Sequence, residues 1–431
     1  MDATAVLFIV FLFLMLMNVP IALCLGISSI VGIIVMDVPL SVVPMQIYAG
    51  IGKTTLLAIP FFILAGEIMN QGGLTKRIIN FCNIFLGRIR GGLGYVTIFA
   101  CLIFAALVGS AVAACAALGA MLIPMMVNSG YNREESSALV ASANLVAPIM
   151  PPSVPMIVYG VSAGVSINSM FMAGIAPAVY LTIVACVVWF FRSHRKGVVP
   201  TTEHFVPPTP KEALRIFGGG IWALLLPVII LVGLHSGKFT ATEAGVIACV
   251  YALLIGLLVY RELKIKNLGK VFVNAAKTSA VVMFLAAAAN VAAYYMTVSR
   301  IPQILTGGLE GLVENRTLLM IVLMLIVIVV GLAMDVTPSI LILTPIMIPL
   351  VEAAGINKVY FGVCFVLMNV LGLTSPPVGP VLNVACAAGN VKMDKIIGPT
   401  MPYFISQTIL CFALAIFPFL VEVPMGWFGA S

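Results

Sequence analysis

Apolar residues run in blocks of about 20 along almost the whole chain, each long enough for a helix to cross a bilayer. The plainest blocks predict spans near residues 3–17, 20–36, 56–71, 220–236 and 241–260. Four other apolar segments break the pattern. Segments 94–127 and 317–351 are interrupted midway, by "VGSAVAACAALG" and by "MDVTPS", and each predicts a helical hairpin that enters the membrane and returns. Segments 133–171 and 358–390 carry "NLVAPIMPPSVP" (Asn144–Pro155) and "NVLGLTSPPVGP" (Asn369–Pro380). Proline lacks a backbone donor and disfavours helix at the residue before it, so each proline pair predicts a span unwound in its middle.

The two broken segments are copies. A shift of 225 residues sets Pro124 on Pro349, Gly130 on Gly355, Asn132 on Asn357 and Asn144 on Asn369. The same shift sets Pro151, Pro152 and Pro155 on Pro376, Pro377 and Pro380, Gly164 on Gly389, and Pro177 on Pro402. Apolar composition alone aligns Leu with Leu, but not this series of Pro, Gly and Asn. Counting spans puts an odd number of crossings between the copies, so they have opposite orientations. Inverted repeats with interrupted helices at the midplane are the organisation of secondary transporters.

Composition supports a membrane solvent. The 431 residues are 62% hydrophobic and 9% charged, with a mean hydropathy of +1.19. The net charge of +7 is carried by clusters rather than by a basic face, and it does not indicate nucleic acid. An amphipathic basic arm at Thr75–Gly92 and basic loops at Arg192–Arg215 and Arg261–Lys277 predict the cytoplasmic side. In that layout only Lys53, Lys238, Arg300, Arg316 and Lys358 face outward, and the C-terminus is periplasmic. The nine cysteines form no CxxC or Cys/His cluster, and the three histidines lie in loops or at a segment end. A membrane-embedded enzyme would need a polar catalytic set at one depth, which the chain does not offer. No cofactor is expected, and Met1–Met17 lacks the basic n-region of a cleavable signal.

Unwound spans leave backbone carbonyls free, and these persist in lipid only where they line a cavity or bind something. A hairpin tip facing an unwound span can cage a dehydrated cation. In the second repeat Asp335 is the sharpest candidate, an ionisable residue inside an otherwise uncharged apolar segment. Thr337 and Ser339 stand beside it, and Gly372, Thr374 and Ser375 lie on the facing break; short hydroxyls and carbonyls suit Na⁺. The matching set in the first repeat is Gly109, Ser110, Ala113 and Pro148. Half-helix N-termini at the centre favour a substrate carboxylate, so Ser153, Asp335, Asn144 and Asn369 are the candidate substrate residues. Glu67 is the other charge within a span, and Glu243 is expected to cap a helix begun by Thr240 or Thr242.

The stretches "IPFFILAGEIMNQGGLTKRI", "GSAVAACAALG", "PIMPPSVPMIVYGVSAGVSI", "FTATEAG", "MDVTPSILILTPIMIPL" and "GLTSPPVGPVLNV" resemble, in family order, the large membrane subunit of TRAP (tripartite ATP-independent periplasmic) transporters. The resemblance implies an all-α polytopic fold of the ion transporter superfamily, with two re-entrant hairpins, two unwound helices and elevator-type motion. It implies Na⁺-coupled import of an organic acid across the bacterial inner membrane. The expected partners are a separate small four-helix membrane subunit and a periplasmic substrate-binding protein. The wording of the second repeat looks closest to members that handle sugar acids such as sialic acid. A stand-alone sodium/dicarboxylate symporter of the same superfamily stays open. Many relatives carry Ser where this chain has Val108 and Asp where it has Ala114. On this reading residues 1–92 are scaffold spans and arm, 93–192 the first transport repeat, 193–300 a cytoplasmic loop and scaffold spans, and 301–431 the second repeat and last span.

Overall fold

The computed structural model describes residues 3–200, 209–308, 310–376 and 379–427. Among them there are helices and no strands, and eight helices are long and apolar enough to cross a membrane. The chain opens with α1 (Ala3–Leu16), α2 (Ile21–Val35) and the short α3 (Val42–Ile51), and passes through a 3-10 turn at Thr54–Leu57 into α4 (Ala58–Gln71). The basic arm is α5 (Leu74–Leu86). The first hairpin is α6 (Gly92–Val108) with α7 (Ala111–Asn128), and the first broken helix is α8 (Arg133–Ala143) with α9 (Val154–Ala163). Next come α10 (Ile167–Ser193), α11 (Pro210–His235), α12 (Ala241–Leu254, continued by a π-turn to Val259), α13 (Ile265–Val298), and short α14 (Ile301–Gly308) and α15 (Glu310–Val313). The second hairpin pairs α16 (Arg316–Ala333) with α17 (Val336–Ala353). The second broken helix is α18 (Lys358–Gly372) with α19 (Pro380–Gly389), and α20 (Met393–Ile416) and α21 (Phe419–Trp427) close the chain.

The helices pack as two bodies. In one, α13 packs on α2, α3 and α4, while α12 packs on α4 and α11, and α1 covers α2. In the other the repeats interlock. Hairpin helix α7 lies on α19 of the second broken helix, and hairpin helix α17 lies on α9 of the first. The bodies meet where α4 touches α6 and α9, where α13 and α14 touch α17, and through the arm α5, which packs on both α6 and α11. Large apolar side chains such as Phe13, Phe191, Val232 and Val281 remain exposed on the outer faces, as a lipid-facing surface requires.

The repeated asparagines have a local cause. Asn132 caps α8 by accepting from Glu135 N at 3.0 Å, and Asn357 caps α18 by accepting from Val359 N at 2.8 Å. Thr240 and Glu243 form the expected cap of α12, with Thr240 N donating to Glu243 Oε2 at 2.8 Å. Such caps contribute about 1 kcal/mol each.

Several boundaries differ from expectation. The first broken helix does not run to residue 171: Gly164, with φ of +67°, stops α9 at Ala163, and α10 starts at Ile167. The basic stretch to Lys277 is not a loop. After the short link Arg261–Lys264 it forms the start of α13, whose 34 residues span about 51 Å at 1.5 Å each, well beyond the ~30 Å bilayer core. Likewise α11 starts at Pro210 rather than near 220, behind a capping box at Thr209 and Glu212. Neither α3 nor α14, α15 and α21 was anticipated, because each is too short to read as a span. Pro377 lies outside the described residues.

Candidate functional site

Each hairpin turns in two residues. At the first tip Gly109 ends α6 with φ of +64°, a conformation that costs a side-chain-bearing residue roughly 1–2 kcal/mol. Ser110 is extended and caps α7, its Oγ accepting from Ala113 N at 3.5 Å. A Cβ on Gly109 would stand 3.1 Å from Pro152 O and 3.2 Å from Val154 N, so the tip rests on the first break. There Ser153 caps α9 by accepting from Met156 N at 3.3 Å, and its hydroxyl donates to Pro148 O.

The second tip follows the same plan with more polar side chains. Met334 is extended, and Asp335 caps α17, its Oδ1 accepting from Val336 N at 2.8 Å. Ser339 Oγ donates to Asp335 O at 2.9 Å. Thr374 Oγ1 donates to Leu371 O at 3.2 Å on the facing break. The break and hairpin touch backbone to backbone: a Cβ on Gly372 would stand 2.3 Å from Gly331 C.

Both tips open on one cavity of about 210 Å³ at the meeting of the two bodies. The hairpins contribute Val108, Gly109, Ser110, Ala111, Ala113, Asp335, Val336 and Thr337 to its wall, and the breaks contribute Pro148, Val154, Pro155 and Leu373. Across it stand Glu67 and Asn70 of α4, and Thr278 of α13. Six candidate residues are thus brought together: Gly109, Ser110, Ala113, Pro148, Asp335 and Thr337.

The others lie behind the wall. Ser153, Gly372, Thr374 and Ser375 are neighbours of lining residues and are themselves buried. Asn144 and Asn369 are fully buried and do not line the cavity. Asn144 Nδ2 donates to Val140 O at 2.8 Å while its Oδ1 has no partner, and neither polar atom of Asn369 has one. Buried unpaired amides are costly, so this matched pair is a feature in its own right. Ala114 is also fully buried and does not line the cavity.

Asn70 and Thr278 were not among the sequence candidates. Asn70 follows Glu67 by three residues, which places both on one face of α4, and that spacing was the available signal. Thr278, between Lys277 and Ser279 in the basic start of α13, gave none. Among the described residues no group of three or more His, Cys, Asp or Glu is arranged to hold a metal.

The family described as "Tripartite ATP-independent periplasmic transporter, DctM component" matches residues 8–420. The chain is 44% identical over 378 residues to the 2,3-diketo-L-gulonate TRAP transporter large permease protein YiaN of Escherichia coli, covering 88% of each. It is 33% identical over 381 residues to the C4-dicarboxylate TRAP transporter large permease protein DctM of Pseudomonas aeruginosa, covering 88% of this chain and 87% of the relative. It is 32% identical over 373 residues to the sialic acid TRAP transporter large permease protein SiaM of Vibrio cholerae, covering 86% of each. The crystal structure of the Alcanivorax borkumensis YdaH transporter shares the fold, with a TM-score of 0.67 at 14% identity over 89% of this chain and 88% of that one.

Proposed function

The chain belongs to the DctM family of TRAP transporter large permeases, which are not enzymes, and we propose that it imports an organic acid by coupling to Na⁺. It is a multi-pass inner-membrane protein of a secondary transporter. The observation that carries the coupling is the pairing of each hairpin tip with a broken helix beside a shared cavity. One Na⁺ is held by carbonyl and hydroxyl oxygens around Gly109, Ser110, Ala113 and Pro148. A second is held around Asp335, Thr337, Gly372, Thr374 and Ser375. Hard oxygen donors on short side chains and free carbonyls match a hard cation.

The substrate carboxylate lies at the half-helix N-termini behind Ser110, Ser153 and Asp335. Asn144 and Asn369, set back from the wall, act through the packing of each break on its hairpin rather than by direct contact. A sugar acid is the favoured substrate: the 44% identical relative is named for 2,3-diketo-L-gulonate, and another relative for sialic acid. A relative named for C4-dicarboxylates keeps the second class of substrate in view. The family implies a small membrane subunit and a periplasmic binding protein as partners. A stand-alone symporter would transport in proteoliposomes holding this chain alone.

The two hairpins and broken helices move as one body against the scaffold of α1–α4 and α11–α13, with the basic arm and loops on the cytoplasmic face. Opening one cage at a time would expose free carbonyls to hydrocarbon, at several kcal/mol per group. The coupling is tested by uptake in the assembled system. Replacing Na⁺ with choline at constant membrane potential should abolish uptake, and undiminished uptake would overturn the assignment.

A further inference from the structure

The cavity is electrostatically lopsided. On one side, the N-termini of α7, α9 and α17 reach it through Ala111, Pro155 and Val336. Helix N-termini carry roughly half a positive charge each and present free N–H groups, so this side suits one carboxylate. On the other side stand Glu67, Asn70 and Thr278 of the scaffold helices. Among the described residues lining the cavity there is no Lys, Arg or His.

Glu67 differs from Asp335 in how its charge is met. Asp335 has the Val336 N–H on its carboxylate and belongs to the proposed second Na⁺ site. Glu67 is half-buried in the last third of the apolar helix α4, four residues before its end, and no hydrogen bond or ion pair to the described residues engages it. An intramembrane carboxylate left this way marks a functional site. An ionised carboxylate only accepts hydrogen bonds, so the groups it can hold are donors such as hydroxyls. A second carboxylate brought to the same wall would meet a like charge and be repelled.

We propose that Glu67 is a specificity-determining residue that selects a polyhydroxylated monocarboxylate over a dicarboxylate. The single carboxylate sits at the helix N-termini. Hydroxyls on the distal carbons donate to Glu67 and exchange hydrogen bonds with Asn70 and Thr278. A second carboxylate in the distal position is repelled. This assignment rests on the transport reading, because the cavity must be where substrate lodges.

The test measures equilibrium binding of D-gluconate and of succinate to the purified full chain in nanodiscs, with Na⁺ present. Wild-type protein should bind gluconate at least tenfold more tightly than succinate. Glu67→Gln keeps the shape and an acceptor oxygen but removes the charge, and should narrow that ratio about tenfold, chiefly by improving succinate. Asn70→Asp adds a charge to the same wall and should widen the ratio, which keeps the idea exposed even if Glu67→Gln fails to fold. A wild-type ratio near one, or a ratio unmoved by whichever variants fold, overturns the role of Glu67 while leaving Na⁺-coupled transport standing. If wild-type protein binds no carboxylate with Na⁺ present, the transport reading fails and this inference falls with it.

Discussion

Replacing Gly372 with Ala places a methyl group where the second cage has no room. Its Cβ would stand 2.3 Å from Gly331 C, 2.4 Å from Gly331 O and 2.8 Å from Gly331 Cα. These are backbone atoms, so no side-chain rotation relieves the clash. Carbon contacts settle near 3.5–4.0 Å, so α16 and α18 must part by about 1 Å. Gly331 lies four residues before Asp335 and Gly372 two before Thr374, so that parting pulls the tip from the break it faces. Overpacking of this kind costs about 1–3 kcal/mol, and each 1.4 kcal/mol is tenfold in an affinity. The expected result is a Na⁺ half-saturation of uptake raised about tenfold, with the chain still in the membrane. The assay is initial uptake against Na⁺ concentration at fixed potential, normalised to membrane-inserted protein. Gly398→Ala on α20 is the control, because a Cβ there meets nothing within 4 Å. An unchanged Na⁺ dependence in Gly372→Ala, or the same shift in Gly398→Ala, would refute the reasoning.

Asp335→Ala should leave the chain in the membrane and abolish uptake; near-normal uptake would reduce Asp335 to a helix cap. Glu135→Gln should lower stability by about 1–3 kcal/mol, since it leaves the half-buried Arg192 without its charge partner; an unfolding transition equal to wild type would show the pair to be dispensable. On a background free of the nine native cysteines, a disulfide between Cys at 119 and 388, whose Cβ atoms would lie 3.3 Å apart inside one body, should spare transport. A disulfide between Cys at 66 and 108 joins the two bodies, because a Cβ at Gly66 lies 3.6 Å from Val108 Cα, and should arrest it; the opposite outcome would exclude rigid-body motion between them.

The hairpins and breaks were legible in the sequence because local chemistry fixes them. A Gly–Ser pair and an Asp–Val–Thr–Pro run each stop one helix and cap the next, whatever surrounds them. The end of the first broken helix is not legible from the repeat, because the match of Gly164 to Gly389 does not reveal that Gly164 is a left-handed stop. The basic start of α13 reads as a loop because its charges suggest solvent. A helix longer than the bilayer is thick meets the same requirement by protruding. Asn144 and Asn369 show the limit of symmetry: a shared position marks a constraint, but not which way the side chain points. Thr278 joined the site only through packing of a distant helix, which no local pattern encodes.

The repeats agree in backbone and differ in charge, and the difference bears on coupling. The shift that matches the breaks also sets Ser110 on Asp335, Val112 on Thr337, Ala147 on Gly372 and Ile149 on Thr374. The first cage therefore offers neutral oxygens, much of them backbone, while the second offers a carboxylate and several hydroxyls. On the proposed Na⁺ reading, a cation in the second cage is balanced by Asp335 and leaves that end of the cavity neutral. A cation in the first cage has no carboxylate among its own ligands, and it lies beside the cavity lined by Ser110 and Pro148, with Glu67 on the scaffold wall. The substrate carboxylate is then its counter-charge. Each stabilises the other across the cavity, so either one alone crosses at a cost in desolvation that the pair avoids. A permease built this way needs only one acidic tip, because the counter-charge at the other tip arrives with the cargo.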